Sequence, residues 1–197
     1  MYYVMNPQSM KMSVTENGNG NGNGKTPVAL LKKAAEYMTK RFMFNDKSKD
    51  VTHFMNLQGF KRWHRFNTRE DMEAIMQIKS HIIDHYHEMP ELVIEALDYN
   101  ATDLKSHLDA WEDMDEKFIT DLSQLKTDLI VPGNYHVEAC LIQGILDKIF
   151  TELKYLERVK NELESEAYSA YCIHMMSHRI HDCYKGKEEE LQHINIY

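Results

Sequence analysis

The sequence of 197 residues contains few of the residues that interrupt helices: four prolines and eight glycines. Both residue types disfavour helix interiors, and proline also marks helix boundaries. Pro90 and the cluster Pro132-Gly133-Asn134 therefore separate long helical segments. Alternating strand patterns are nearly absent. The scarcity of these residues favours an all-α protein.

Cysteines and long apolar runs are also scarce. The three cysteines, Cys140, Cys172 and Cys183, form no CxxC pair, which excludes a disulfide framework and indicates reduced thiols. No window approaches the ~18 apolar residues that a membrane helix needs. The net charge of −8 disfavours nucleic acid as a partner. The N-terminus, MYYVMNPQSMKM, lacks a basic start followed by an apolar run, so we expect a cytoplasmic, intracellular protein.

The chain divides into three parts by composition. Residues 1–26 end in a repeat of asparagine and glycine, which predicts a flexible leader. A helical bundle domain is predicted over residues 27–185, and residues 186–197 form a charged tail. The predicted helices span residues 27–44, 53–89, 103–130, 135–164 and 165–184. Two alternatives remain: the second helix could be broken at Asn67-Thr68, and the fifth helix could be continuous with the fourth.

The fold class predicted is a four-helix bundle plus a short fifth helix. The link over residues 90–102 is longer than an antiparallel hairpin requires, so we expect it to cross the bundle and leave the second and third helices parallel. The second helix is expected to bury a stripe made of Met72, Ile75, Met76, Ile82, Ile83 and Tyr86. The apolar side expected for the fifth helix is Tyr168, Tyr171, Cys172, Met175 and Cys183.

Acids occupy core positions in the third and fourth predicted helices. The heptad stripe of the third is Leu104, Leu108, Trp111, Asp115, Phe118, Leu122, Leu125 and Leu129. That of the fourth is Glu138, Ile142, Ile145, Ile149, Glu152, Leu156, Val159 and Leu163. A buried carboxylate costs several kcal/mol unless it finds a partner or a proton. Asp115 and Glu152 therefore need partners. The partner is either a shared metal ion, iron or manganese, or a cation in a structural ion pair: Lys79, Arg158 or a histidine.

The sequence is rich in histidine, with 11 residues. His174, His178 and His181 recur at i, i+4 and i+7, a spacing that suits a metal shell completed by a second helix. The alternative is a solvated histidine-rich face. A second group, SHIIDHYHE over residues 80–88, lies on the far side of the second helix from its expected core stripe.

One segment resembles a known family. LQGFKRWHRFNTREDMEAIM, residues 57–76, contains L-x-G-F-x-x-W, a short polar run, an acid-rich turn and a methionine, and resembles the second helix of ferritins. Residues 37–46 are similar to the end of that family's first helix. The long crossover and the short fifth helix also fit. The resemblance implies a ferritin-like bundle that binds iron for storage or oxidation, as a possible homo-oligomer.

The same resemblance implies a changed metal centre. The family's second-helix E-x-x-H falls on Asp71-x-x-Ala74 or Glu70-x-x-Glu73, and its first-helix glutamate falls near Leu30. Glu116 matches its third-helix glutamate. The oxidase centre is therefore expected to be degraded or rebuilt elsewhere. The metal ligands predicted from all these arguments are Asp115, Glu116, Glu152, His174, His178 and His181.

Two alternatives stay open. Residues 66–97 are also similar to an early helix of haem-oxygenase-like di-iron oxygenases. The last core helix of those proteins carries H-x3-D-x2-H, and His174-x3-His178-x2-His181 repeats that spacing with histidine in place of the acid. The other alternative has no catalysis, and the bundle acts as an assembly or interaction module.

Overall fold

The computed structural model describes residues 26–91, 97, 99–133 and 135–194, without the side chains of residues 132, 133 and 188–194. They form five helices: α1 Pro27–Phe54, α2 Gln58–Tyr86, α3 Leu104–Gly133, α4 His136–Ser165 and α5 Ala170–Ile194. The described residues contain no strand, and none of their helices is long and apolar enough to cross a membrane. All of the predicted leader except Thr26 lies outside the described residues.

The helix α1 begins with a standard cap, because Thr26 Oγ1 accepts a hydrogen bond from the Ala29 amide and Pro27 occupies the first position. It ends ten residues beyond the predicted boundary at residue 44. Asn45, Ser48 and Thr52 favour loops by propensity, yet all three are buried in α1. Packing against the other helices overrides local preference here.

The second helix starts later than predicted and shows no break. A short turn at residues 55–57, with Asn56 at φ 59°, separates α1 from α2. The alternative of a break at Asn67-Thr68 is not what the structure has: α2 is continuous there, and Thr68 Oγ1 donates to the His64 carbonyl at 2.7 Å.

The interior contains two hydrophobic clusters, one at each end of the bundle. The aliphatic cluster takes the N-terminal halves of α1 and α4 and the C-terminal halves of α2 and α3, and includes Leu31, Ile78, Leu122 and Ile142. The aromatic cluster takes the opposite halves together with α5. Its members include Phe60, Trp63 and Trp111. Because the C-terminal halves of α2 and α3 lie at the same end, these two helices run parallel, as the crossover predicted.

The C-terminus of α2 and the N-terminus of α3 therefore lie at opposite ends of the bundle. A helix the length of α3 measures about 45 Å at 1.5 Å per residue. The link has about 17 residues, which span at most about 56 Å when extended. A link of this length can therefore join the C-terminus of α2 to the N-terminus of α3.

The predicted core stripes of α3 and α4 are confirmed. Every member of both is buried except Glu152, whose side chain is 11% exposed. The stripe predicted for α2 is wrong at three of its six positions, because Met72, Met76 and Ile83 are exposed. The buried face is Asp71, Ala74, Ile75, Ile78 and Ile82. The buried face of α2 includes the charged Asp71, and Met72 and Met76 therefore lie outside it.

The face predicted for the fifth helix is also wrong. Met176, Ser177, Ile180 and Tyr184 are buried, whereas Tyr171, Met175 and Cys183 are exposed. The helix α5 is separate from α4 and runs to Ile194, into the segment expected to be a tail. The division of the chain into domains stays a prediction.

The position of α5 depends on Gly59 of α2. The Gly59 amide donates to Ser177 Oγ at 3.0 Å, and a Cβ atom at residue 59 would lie 1.8 Å from the Ser177 carbonyl oxygen. Only glycine permits this approach of the two backbones.

Candidate functional site

A buried arginine lies between the two hydrophobic clusters. The Arg41 side chain of α1 is 2% exposed, and its guanidinium contacts one carboxylate from each of the other bundle helices. Nε donates to Asp115 Oδ1 at 2.8 Å, and Nη1 donates to Asp71 Oδ1. Nη2 donates to Glu152 Oε2 and, at 3.3 Å, to Asp115 Oδ2. All four bundle helices therefore contribute to one charged layer.

Two of the three carboxylates have further hydrogen-bond donors. Trp111 Nε1 donates to Asp115 Oδ2 at 3.0 Å, and Asn45 Nδ2 donates to Asp71 Oδ2 at 2.8 Å. Glu152 differs, because its Oε1 is buried and has no hydrogen-bond partner among the described residues. The acids of α2 and α3 are thus fully satisfied, and the acid of α4 is satisfied at one oxygen only.

The charged layer holds three acids and one permanent cation, which shifts their pKa values. Burial acts to lower the pKa of Arg41, but the attraction of the three carboxylates more than offsets it, so that pKa lies well above its ordinary value. Burial raises the pKa of Asp71 to about 6 and that of Glu152 to about 8, even though Arg41 opposes both shifts. At neutral pH the surplus negative charge is therefore relieved by a proton on Glu152.

A chain of hydrogen bonds continues from Asp71 toward the aromatic end. His64 Nδ1 lies 2.8 Å from Asn45 Oδ1, His64 Nε2 lies 2.8 Å from His107 Nε2, and His107 Nδ1 lies 2.6 Å from the Tyr99 hydroxyl. Because the Asn45 amide nitrogen donates to Asp71, its oxygen accepts from His64 Nδ1–H. His107 Nε2–H must then donate to His64, and Tyr99 must donate to His107. All donors in the chain point toward Asp71.

Both histidines of this chain are held neutral. Burial, followed by the charge of a protonated His107 and of Arg41, holds the pKa of His64 well below its ordinary value. Burial lowers the pKa of His107 to about 4. A proton on His64 would place two donors face to face at the contact of the two rings, and a proton on His107 would occupy Nδ1, the atom that accepts from Tyr99. The neutral pair therefore belongs to the structure at pH 7.

The predicted site residues fall into three separate places. Asp115 and Glu152 meet in the charged layer, where the positive group that they share is Arg41. Glu116 is exposed, one residue off the core face of α3. The three histidines at 174, 178 and 181 line a groove of about 510 Å³ beside the α1–α2 turn, with His181 partly buried. Among the described residues, no three His, Cys, Asp or Glu side chains are arranged to hold a metal ion.

Sequence reasoning missed Arg41 and Asp71. Both stand at core spacing: Arg41 follows Ala34 and Met38, and Asp71 precedes Ile75 and Ile78. A charge in the apolar stripe was the signal in α3 and α4, and the same signal was present in α1 and α2. The partner expected for the acids, Lys79 or Arg158 or a histidine, is corrected to Arg41, because α1 brings its guanidinium to the bundle centre.

Comparison with known proteins gives the class of the fold. No protein-family model and no curated protein matches the sequence. A solved structure of an Archaeoglobus fulgidus ferritin, engineered to a closed form by site-directed mutagenesis, matches with a TM-score of 0.72 and 10% identity. That match covers 81% of this chain and 97% of the other.

An open-pore ferritin from the same hyperthermophilic archaeon matches with a TM-score of 0.69 and 9% identity, over 81% of this chain and 98% of the other. At such identities the similarity shows the fold alone. The protein therefore has a ferritin-like fold, which confirms the family resemblance and the all-α bundle predicted from the sequence.

Proposed function

We propose that this protein is a ferritin-like assembly subunit whose bundle interior is structural and does not oxidise metal. The observation that carries the proposal is the contact of Arg41 with Asp71, Asp115 and Glu152. In metal-binding bundles of this architecture, inward carboxylates and Glu-x-x-His pairs from facing helices surround the metal. Here the inward carboxylates surround a guanidinium.

The residues at the bundle centre do not fit a di-metal site. Arginine is not deprotonated in proteins, so the centre keeps one fixed positive charge that repels a divalent cation. Two buried imidazoles, His64 and His107, are already joined by a hydrogen bond between their Nε2 atoms. Asp115 also accepts from Trp111. Binding a metal would require breaking the contacts of Arg41 and leaving the guanidinium buried without partners, which costs several kcal/mol.

Exposed apolar side chains support the assembly half of the proposal. Met72, Met76 and Ile83 form an exposed stripe along α2, with exposed fractions of 41%, 52% and 36%. Apolar groups that recur along one face of a helix mark surfaces that associate. The two solved structures described above are ferritins, and a shared fold favours association of this chain with copies of itself.

Iron or manganese binding outside the centre is a second candidate. It is favoured by one observation: His174, His178 and His181 line one groove together with Asp182. The other metal ligands predicted from the sequence, Asp115, Glu116 and Glu152, lie outside this groove and stay a prediction, which the first proposal opposes for Asp115 and Glu152. The haem-oxygenase-like alternative likewise stays a prediction, to be tested by oxygen consumption with ferrous iron.

One experiment separates these functions. The full chain is incubated with Fe(II) or Mn(II), desalted and assayed for metal by mass spectrometry, beside Asp115→Asn, Glu152→Gln and the double variant His174→Ala/His178→Ala. We expect wild-type protein to retain little metal, with no change in the first two variants. Metal lost only in the histidine variant supports the second candidate. Stoichiometric metal that Asp115→Asn or Glu152→Gln abolishes overturns a structural interior.

Assembly is tested separately by size-exclusion chromatography with light scattering. We expect wild-type protein to have a mass several times that of one chain, and Met76→Glu to reduce it. Gln77→Glu, an exposed neighbour that adds the same charge, is the matched control and should leave the mass unchanged. A monomeric wild-type protein would contradict assembly.

A further inference from the structure

A groove runs between α2, α4 and α5 on the aromatic half of the bundle. Its volume is about 680 Å³, within the range of small-molecule sites. The rings of Phe66, Phe150, Tyr155 and Tyr184 form its walls, and Glu152 of the charged layer also lines it. The groove therefore combines an apolar aromatic lining with access to one buried acid.

The rim of the groove is basic. Four cations line it: Lys148, Lys154, Arg158 and Lys187. Two of them lie over the aromatic walls, with Lys154 Nζ 4.3 Å from the centroid of the Phe150 ring and Lys187 Nζ 4.4 Å from that of Tyr184. These contacts hold the ammonium groups beside the apolar surface, where an anionic ligand would meet them.

The acids of the rim are fewer and already have partners. Glu70 lies 3.9 Å from Lys148, and Asp147 Oδ1 accepts from Gln143 Nε2 at 2.6 Å. Four cations face these two acids in a protein whose net charge is −8. The rim of the groove is thus basic although the whole chain is acidic, so its charge does not simply follow from the overall composition.

Glu152 contributes a neutral group at neutral pH. Its Oε2 accepts from Arg41, and its Oε1 has no partner among the described residues. Burial raises its pKa to about 8. Four charged or titratable groups face it from the other helices: Arg41, Asp71, Asp115 and Tyr184. A protonated Glu152 adds no negative charge to the groove.

We propose that this groove binds a small organic anion with an aromatic body. The carboxylate or sulfonate of the ligand pairs with Arg158 and the rim lysines, and the aromatic body lies against Phe150 and Tyr184. The charge surplus at the rim selects the sign of the ligand, and the ring walls select its apolar part. Neither feature depends on whether the chain assembles.

The first test compares two ligands with one body and opposite charge. Binding of 2-naphthoate and of 2-naphthylmethylammonium to the full chain is measured by calorimetry at pH 7. We expect naphthoate to bind at least tenfold more tightly, and its affinity to fall as salt is added, because rim pairs are screened. Equal binding of both probes, or binding of neither, would overturn the proposal.

Charge-reversed variants then locate the site. Arg158→Glu/Lys187→Glu should weaken naphthoate binding at least tenfold. Lys40→Glu/Lys117→Glu is the matched control, because these two lysines line a groove of about 610 Å³ between α1 and α3. If both double variants weaken binding equally, the anion binds by general charge attraction and the proposed site is wrong.

Glu152 supplies a second readout. Naphthoate affinity should fall as pH rises through about 8, because ionised Glu152 adds a negative charge near the ligand. The variant Glu152→Gln should remove this pH dependence while naphthoate still binds. Light scattering is recorded in parallel: if Arg158→Glu/Lys187→Glu changes the mass of the particle and naphthoate binding is absent, the groove is a contact between copies and the ligand proposal fails.

Discussion

The bundle core is aliphatic at the end that contains Leu31 and Ile142, and aromatic at the end that contains Trp63 and Trp111. The aliphatic end is filled mostly by leucine, isoleucine and alanine side chains, and its buried acid, Glu138, accepts a hydrogen bond from Tyr86. The aromatic end packs Trp63 against Trp111 at a centroid distance of 4.5 Å and encloses the His64–His107 pair. The charged layer around Arg41 separates the two.

The difference shows where a substitution has only a packing effect and where it also disturbs hydrogen bonding. Among the described residues, the buried side-chain atoms without hydrogen-bond partners lie at the aromatic end or in the charged layer, on Ser48, Trp63, Asn67, Glu152 and Tyr168. At the aliphatic end, away from Glu138 and its contacts with His81 and Tyr86, the cost of a change follows mainly volume. At the other end it also depends on which donors and acceptors lose their partners.

The largest expected effect comes from removing the guanidinium. Arg41→Met should lower the free energy of unfolding by about 3–5 kcal/mol, because the buried carboxylates of Asp71 and Asp115 lose their counter-charge and Glu152 loses a hydrogen-bond donor. The loss should shrink at acid pH, where the carboxylates take up protons. Leu31→Ala, which costs about 2–5 kcal/mol at the aliphatic end, should show no such pH dependence. Urea unfolding at pH 4 and pH 7 measures both.

A combined variant sharpens the comparison. Replacing Arg41 and its three acids together by Met and Leu should recover most of the loss, since apolar replacements of whole buried ion clusters are often neutral or stabilising. If Arg41→Met is tolerated at pH 7, or if its loss does not vary with pH, the charged layer does not hold the helices together as argued.

The periodicity of apolar residues predicted the fold correctly wherever the buried residues are also the hydrophobic ones. The stripes of α3 and α4 and the parallel crossover could be predicted because their core positions are mostly aliphatic. Predictions for α2 and α5 were wrong because exposed methionines and tyrosines resemble core residues, while the buried Asp71 and Ser177 do not. The partner of Asp115 and Glu152 could not be fixed from spacing, because three-dimensional contact between α1 and α4 decides it.

The pH dependence of the free energy of unfolding tests the protonation of Glu152. Its folded pKa of about 8 lies above the ordinary value of 4.5, so the folded state holds a proton that the unfolded state releases. This contribution to stability is complete below about pH 4.5 and is lost as pH rises through about 8. We expect it to amount to a few kcal/mol. Its measure is the difference between wild type and Glu152→Gln in urea unfolding from pH 4 to pH 9.

The control for this measurement is Asp147→Asn, an exposed acid on the same helix, which should leave the pH profile parallel to that of wild type. Asp71 and the buried histidines also make stability depend on pH, Asp71 in the same direction as Glu152 and the histidines in the opposite direction at lower pH. Both contributions are present in wild type and in Glu152→Gln, so they cancel in the difference between the two proteins. Coincident profiles for wild type and Glu152→Gln would contradict the protonated state assigned to Glu152.

Two glycines test the packing of the two ends. A Cβ at Gly59 would collide with the Ser177 backbone, so Gly59→Ala should displace α5 and cost about 1–3 kcal/mol. A Cβ at Gly144 of α4 meets no atom within 4 Å, so Gly144→Ala should stabilise the helix by up to about 1 kcal/mol. Thermal unfolding of both variants checks the opposite signs. Equal effects would mean that α5 does not pack on Gly59.

The smallest expected effect concerns the hydrogen-bond chain. Tyr99→Phe removes the donor to His107 Nδ1 and should cost about 1 kcal/mol. Nitrogen chemical shifts should show His107 protonated at Nε2 in the wild type, with Nδ1 losing its hydrogen bond in the variant. Tyr37→Phe is the control, because the Tyr37 ring packs on the aliphatic cluster near Phe118. If both variants cost the same and the His107 shifts do not move, the donors in the chain are not aligned toward Asp71, and the aromatic end is held by packing in the same way as the aliphatic one.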